Sequence, residues 1–256
     1  MSLFTQTTGS GPDLVLLHGW GMNGDVWEGV IPELAENFRV TTVDLPGHGR
    51  SPLTTEFSLP AIAAQIADVL PREAIVLGWS LGGLIATQLA LTFPRQVAGL
   101  VLVCSAPRFV RAADWPAGVD GAVLGGFARD LQTDFQGTIK RFLAIQAMGS
   151  DRAREEMRVL RDRLFRHGEP NHEALAGGLE ILRSADLRAR LSDIKCPTWL
   201  IAGEHDMLFP PAAARHTREL IAAARLIIVK GAGHAPFISH PDVFLAALKS
   251  VAVSHE

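Results

Sequence analysis

Short apolar runs alternate with amphipathic stretches along most of the chain, and this pattern limits the fold more than any other feature. The runs cover residues 14–18, 39–44, 74–79, 97–104, 198–202 and 225–229. Helical spacing follows several of them. Val26, Val30, Ile31, Leu34 and Phe38 predict a helix over 25–38, and Ser58 caps a predicted helix reaching Leu70. Further helical patterns cover 212–223 and 241–251. Strands that are apolar without interruption must be covered on both faces, so the alternation predicts a mostly parallel twisted sheet with helices on either side. Between about Pro107 and Asp186 the helical patterns continue but no strand stands out. We therefore assign 1–106 and 186–256 to an α/β core and 107–185 to a helical cap inserted between two core strands.

With 256 residues, 48% of them hydrophobic, there is enough apolar surface for one large domain. A net charge of −3 excludes a generally basic nucleic-acid binder, and 20% charged residues exclude a disordered chain. Cys104 and Cys196 stand far apart with no Cys/His ligand spacing, so two buried free thiols, a reducing compartment and no metal or other cofactor are expected. The first residues, MSLFTQTTGS, lack the basic and apolar segments of a secretory signal. Residues 74–94 carry no charge over a length that would span a bilayer, but their glycines, Ser80, Thr87 and Gln88 fit a buried strand, turn and helix better. A cytoplasmic protein without membrane attachment is the expectation, and a monomer.

The turn in that segment carries the chemistry. Gly78-Trp79-Ser80-Leu81-Gly82 fits G-x-S-x-G between a strand and a helix. Small residues two before and two after Ser80 let the chain bend sharply enough to raise the hydroxyl above the sheet. The alternative is a glycine-rich turn that only packs. Serine needs a base, and the base needs an orienting acid. Asp206 follows the strand 198–202 and His234 follows the strand 225–229, both at C-terminal strand ends where open α/β sheets place their sites. Asp206 would hold the imidazole, and His234 would take the Ser80 proton and return it to the leaving group. Glu204 competes as the acid. His205 reads as a loop residue, His240 as part of a helix start, and His167, His172, His216 and His255 as solvated. The Leu81 N–H and the N–H of Trp20, in Leu17-His18-Gly19-Trp20-Gly21, are the oxyanion donors expected. His18 and the 44–51 loop, DLPGHGRS, take structural readings.

These motifs resemble the α/β hydrolases over the whole chain. Within them, LLHGWGMNGDVW, LGWSLGGLIATQ, RFLAIQAMG, GGLEIL and GHAPFISHP resemble the pimeloyl-[acyl-carrier protein] methyl ester esterases of biotin synthesis. The elbow is common to many hydrolases, whereas Trp20, Trp79, FLAIQ and HAPFISHP together are far narrower. The resemblance implies hydrolysis of the methyl ester at the far end of a carrier-bound pimeloyl chain, giving pimeloyl-carrier protein and methanol. It also implies a substrate site made by Trp20, Ser80, Leu81, Phe142, Leu143, Ala144, Ile145, Gln146 and His234. A core-facing insertion helix is the plainer reading of FLAIQ, and the two are compatible.

Charge within the cap is uneven. From Lys140 to Arg166 there are eight basic and four acidic residues, a net +4 inside an acidic chain whose basic residues are 20 Arg and 4 Lys. Ser150 is a candidate cap for a helix with the stripe Ala153, Met157, Leu160 and Leu164. Arg154, Arg158 and Arg161 fall beside that stripe. Solvated arginines with Glu155 and Asp162 as counter-ions are the plain reading. Acyl carrier proteins are acidic, so the resemblance makes Arg141, Arg154 and Arg158 candidates to dock the carrier, with Arg152 and Arg161 secondary. The same triad would serve a general short-chain carboxylesterase or a carbon–carbon bond hydrolase, and a non-catalytic binding module is the alternative of a different class. Epoxide hydrolases need Asp at the elbow and typically cap tyrosines. This chain has Ser80 and no tyrosine.

Overall fold

The computed structural model describes residues 2–252, so His255 lies outside the described residues. Among them β1 (Thr5–Thr8), β2 (Asp13–Leu17), β3 (Arg39–Val43), β4 (Ala74–Trp79), β5 (Val97–Val103), β6 (Thr198–Gly203) and β7 (Arg225–Val229) form one sheet in the order β1-β3-β2-β4-β5-β6-β7. Only the β1–β3 pairing is antiparallel. Every residue of β4 and β6 is buried, as expected for strands covered on both faces. β1 was not anticipated. Its sequence TQTT is polar and fully exposed, so it carries no hydrophobic period, and it forms by pairing with the free edge of β3.

The helices are α1 (Ile31–Leu34), α2 (Leu59–Ala67), α3 (Leu81–Thr92), α4 (Gly121–Thr133), α5 (Phe135–Ala147), α6 (Ala153–Leu164), α7 (His172–Ser184), α8 (Pro211–Leu220), α9 (Pro236–Ser239) and α10 (Pro241–Ala252). Ser58 caps α2 by accepting the Ala61 N–H at 3.3 Å. The single helix expected over 25–38 is instead a 3-10 turn, Gly24–Trp27, followed by the short α1. Pro32 lacks the N–H that would continue the ladder, and Gly29 weakens it further. Val26, Val30, Leu34 and Phe38 are nonetheless all buried, so burial kept the periodic pattern without the continuous helix. Ser150 also departs from expectation. It precedes Arg152, the residue that flanks α6, and its hydroxyl turns to the Arg152 N–H and the Glu156 carboxylate.

Helices α4 to α7 lie between β5 and β6, preceded by two small bridges, Val110–Val119 and Ala112–Trp115. The C-terminal end of α6 is tied to the core. Arg163 pairs with Glu28 at 2.8 Å, Arg166 with Glu28 and with Asp25 at 3.1 Å, and His167 Nε2 reaches Asp25 at 2.9 Å. Arg50 continues this network from Asp25 to Asp44, at 3.0 and 2.8 Å. Burial pushes the Asp44 carboxyl upward, but the Arg50 guanidinium and the backbone N–H groups of Arg50 and Gly24 outweigh it and hold it below the ordinary range. Cys104 is buried and Cys196 half-buried, both as free thiols. No helix among the described residues is long and apolar enough to cross a membrane.

Candidate active site

β4 and α3 meet at Ser80 in a conformation that side chains seldom adopt, φ 55° and ψ −117°. Such a residue costs on the order of 1–3 kcal/mol, so the surroundings must hold it. The Ser80 N–H donates to the Val103 carbonyl at 3.0 Å, and the Ser80 carbonyl accepts Gly83 N–H at 2.9 Å and the Ser105 hydroxyl at 2.7 Å. A Cβ on Gly78 would run into the Gly82 carbonyl, and one on Gly82 into the carbonyls of Leu17 and His18. Glycine at both positions is therefore a packing requirement of the bend. Ser105 sits just beyond β5 with no local motif, and nothing in the sequence marked it.

Asp206 and His234 meet across β6 and β7. His234 Nδ1 lies 2.7 Å from Asp206 Oδ2, and both side chains are almost fully buried. Asp206 Oδ1 accepts the backbone N–H groups of Leu208 and Phe209, each at 2.8 Å. A carboxylate fixed on three donors keeps the proton of the imidazole on Nδ1 and leaves Nε2 as the acceptor. Nε2 is buried with no hydrogen-bond partner among the described residues. The His234 carbonyl accepts Trp79 Nε1–H at 2.7 Å, and the Trp79 ring packs against Trp27 and Phe237. Cys104 Sγ joins this pair, the three ligand-type atoms lying within 4.8 Å of one another. Burial first, and the Asp206 charge second, push the Cys104 thiol well up, so it stays protonated beside the acid.

The competing groups lie elsewhere. Glu204 accepts the Gly231 N–H at 3.1 Å and is half-exposed beside His205. His240 pairs with Ser239, His172 stacks on Phe135, and His216 packs on Trp115. His18 is buried with Nε2 accepting the Leu45 N–H at 2.9 Å, which leaves Nδ1–H to donate to the Gly19 carbonyl. Burial, then His48, push His18 down to about 3, so it is a neutral brace between the 18–21 and 44–51 loops.

Gly19, which precedes Trp20, packs on the elbow: a Cβ there would come 2.9 Å from the Trp79 ring and 3.3 Å from Ser80 Cβ. Leu81 opens α3, and the first N–H groups of a helix have no intrahelical acceptor. Trp20 Nε1–H donates to the Leu175 carbonyl at 2.8 Å, tying this loop to α7. Phe142 packs on Trp20 with ring centres 4.5 Å apart and on Phe127 at 5.4 Å. Gln146, one turn later on α5, is buried, and its carbonyl accepts the His234 N–H at 3.0 Å. Ala144 and Ile145 are half-buried. Leu143 is buried but points along another face of α5, with Ile139, into a groove against α6.

That groove encloses about 720 Å³, and Ile139, Leu143, Met157 and Phe165 supply its apolar lining. Lys140, Arg154, Arg158 and Arg161 also line it, against the single acid Glu169. Arg154 and Arg158 are exposed and make no ion pair among the described residues, whereas Arg161 lies 3.6 Å from Asp162. Arg141 differs from the expectation that grouped it with them. It turns away to Asp130 at 2.9 Å and Asp134 at 3.3 Å.

The sequence profile of the α/β hydrolase fold matches residues 12–241. The chain belongs to the α/β hydrolases. Within that family this α/β hydrolase is 47% identical over 251 residues to the pimeloyl-[acyl-carrier protein] methyl ester esterase of Aeromonas hydrophila, covering 97% of this chain and 98% of that one. It is 46% identical to the protein of the same name from Stenotrophomonas maltophilia, covering 94% and 93%. Among solved structures, an esterase from Exiguobacterium antarcticum superimposes with a TM-score of 0.88 at 26% identity, covering 98% of this hydrolase and 95% of that chain.

Proposed function

We propose that this α/β hydrolase is a serine carboxylesterase that cleaves the methyl ester of pimeloyl-acyl carrier protein, releasing methanol and the free carboxylate for biotin synthesis. One observation carries the chemistry: His234, held by buried Asp206, keeps an unpartnered Nε2 and is fastened to the strained Ser80 elbow through Trp79, whose Nε1–H donates to the His234 carbonyl at 2.7 Å. The full-length identity to esterases of that name supports the choice of ester.

In the proposed cycle His234 Nε2 takes the Ser80 proton as Oγ attacks the ester carbonyl. The resulting oxyanion is met by the N–H groups of Trp20 and Leu81 at the positive end of α3. The imidazolium, stabilised by Asp206, protonates the departing methoxide. A water then attacks the acyl-Ser80 ester with His234 as base, and the second tetrahedral species collapses to the acid and regenerates Ser80. Trp20 and Phe142 form an apolar wall for the acyl chain. Gln146 lies at the same side, with Ala144 and Ile145 beside it on α5, whereas Leu143, expected at the acyl chain, faces the groove against α6 instead.

The substrate also carries a thioester at its carrier end. We assign the choice between the two acyl bonds to distance: the carrier stays outside on the cap, and only the distal ester reaches Ser80. Arg154 and Arg158 at the groove favour an acidic carrier there, and Arg141 could join only by releasing Asp130 and Asp134. A monomer acting in the cytoplasm accords with this role.

Complementation of a biotin auxotroph lacking its esterase tests the substrate. Growth with the wild type and none with Ser80→Ala is expected. A well-expressed wild type that fails leaves a general short-chain carboxylesterase or a carbon–carbon bond hydrolase of the same fold. Labelling by a serine-reactive phosphonate, lost in Ser80→Ala, separates either esterase from a non-catalytic module.

A further inference from the structure

One buried acid takes no part in the acyl-transfer steps. Glu156 sits on the inner face of α6, with no exposed surface, between the outward-facing Arg154 and Arg158. A carboxyl group so placed is costly unless a specific contact holds it. Its Oε1 accepts the Ser150 hydroxyl. Ser150 in turn lies against Gly233, where an added Cβ would come 3.2 Å from that of Ser150. On either side of Ser150 the backbone is fastened to the same stretch. Gln146 O accepts the His234 N–H at 3.0 Å, and Asp151 N–H donates to Gly231 O at 2.9 Å. The turn joining α5 to α6 is thus clamped along residues 231–234, the segment that ends in the proposed base.

We propose that Glu156 is a positioning residue for His234: by holding Ser150 it fixes the 146–151 turn against residues 231–234 and sets the approach of the imidazole to Ser80. The inference rests on the triad reading given above. The groups around Glu156 agree with a link to the site. Ser150 comes from the turn, Ser239 from α9, and the charges of His234 and Asp206 from the core. Burial is the largest influence and pushes Glu156 up to about 7, with Ser150, Ser239 and His234 opposing it. The helix that offers Arg154 and Arg158 to a carrier on its outer face therefore sets the base from its inner face.

The test compares Glu156→Ala with Glu156→Gln, which keeps an oxygen for the Ser150 hydroxyl. Both are assayed on a small soluble para-nitrophenyl ester, with kcat expressed per active site titrated by the serine-reactive phosphonate. Glu156→Ala should lose kcat by about tenfold or more with KM within about threefold, and Glu156→Gln should recover most of it. A Glu156→Ala enzyme within about twofold of wild-type kcat per titrated site overturns the proposal, as does an equal loss in both variants. If the alanine variant does not fold, Ser150→Ala supplies the same comparison from the other side of the contact. Failure of the triad reading looks different: the wild type itself would not be labelled, or Ser80→Ala would retain activity.

Discussion

Asp206→Asn keeps the volume of the proposed triad acid and removes its charge, and the local hydrogen bonds dictate how the new amide must sit. Asp206 Oδ1 accepts two backbone N–H groups, from Leu208 and Phe209, at 2.8 Å each. Only the amide oxygen can occupy that position, because a buried NH2 facing two N–H donors would leave all of them unpaired. The NH2 group then points at His234 Nδ1, 2.7 Å from the other oxygen in the native chain. An amide donor there forces the imidazole proton onto Nε2, toward Ser80, where the reaction needs a lone pair. The imidazolium also loses its adjacent charge. The same substitution in a serine-protease triad lowers kcat about 10⁴-fold, equivalent to about 5.4 kcal/mol at about 1.36 kcal/mol per decade. We expect a loss of that order on a para-nitrophenyl ester, with KM within about threefold and thermal stability close to the wild type. The neighbouring Glu204→Gln, half-exposed and bonded to Gly231 N–H, should leave kcat within about twofold. A loss below about tenfold in Asp206→Asn, or an effect confined to KM, would refute this account of the triad.

Charge reversal at Arg154 and Arg158 should raise KM for the carrier-linked ester about tenfold or more and spare a small soluble ester, with the difference shrinking as salt rises. Equal effects on both substrates would remove the docking role. Gly82→Ala should prevent stable folding or cost more than about 3 kcal/mol in urea titration, because the new methyl would sit on two backbone carbonyls of the β2 end. Stability should depend on pH through Glu156. Its folded value of about 7 lies above the ordinary 4.5, so its stabilising contribution is full below about 4.5 and is lost as pH rises through 7. Glu156→Gln should therefore be more stable than wild type at about pH 8, by at most about 3 kcal/mol, and should converge with it in acid. A wild type as stable as the variant in alkaline buffer would show that the carboxyl is not buried as described. Carrier-linked diesters of shorter and longer chains should be cleaved more slowly than the pimeloyl one; equal rates would count against selection by distance.

The sequence by itself determined the parts of this molecule whose cause is local. Buried strands announced themselves because a strand covered on both faces must be apolar throughout, and β4, β5, β6 and β7 lie within a residue of where those runs placed them. The elbow was legible for the same reason: glycines at 78 and 82 answer to a bend that no side chain permits. Asp206 and His234 could be picked out from their places after β6 and β7, although their 2.7 Å contact is a property of the folded sheet. Other features have their causes at a distance in the chain. β1 exists because β3 offers an open edge, and the 25–38 pattern buried its apolar residues without forming the single helix it predicts. Arg141, Arg154 and Arg158 look alike as a charge count, but only the tertiary structure shows that Arg141 faces Asp130 and Asp134 while the other two border the groove. In the sequence Glu156 is only one of the four acids between Lys140 and Arg166. The packing of α6 against α9 and the His234 loop buries it, because the direction in which a helix faces is set by what it meets.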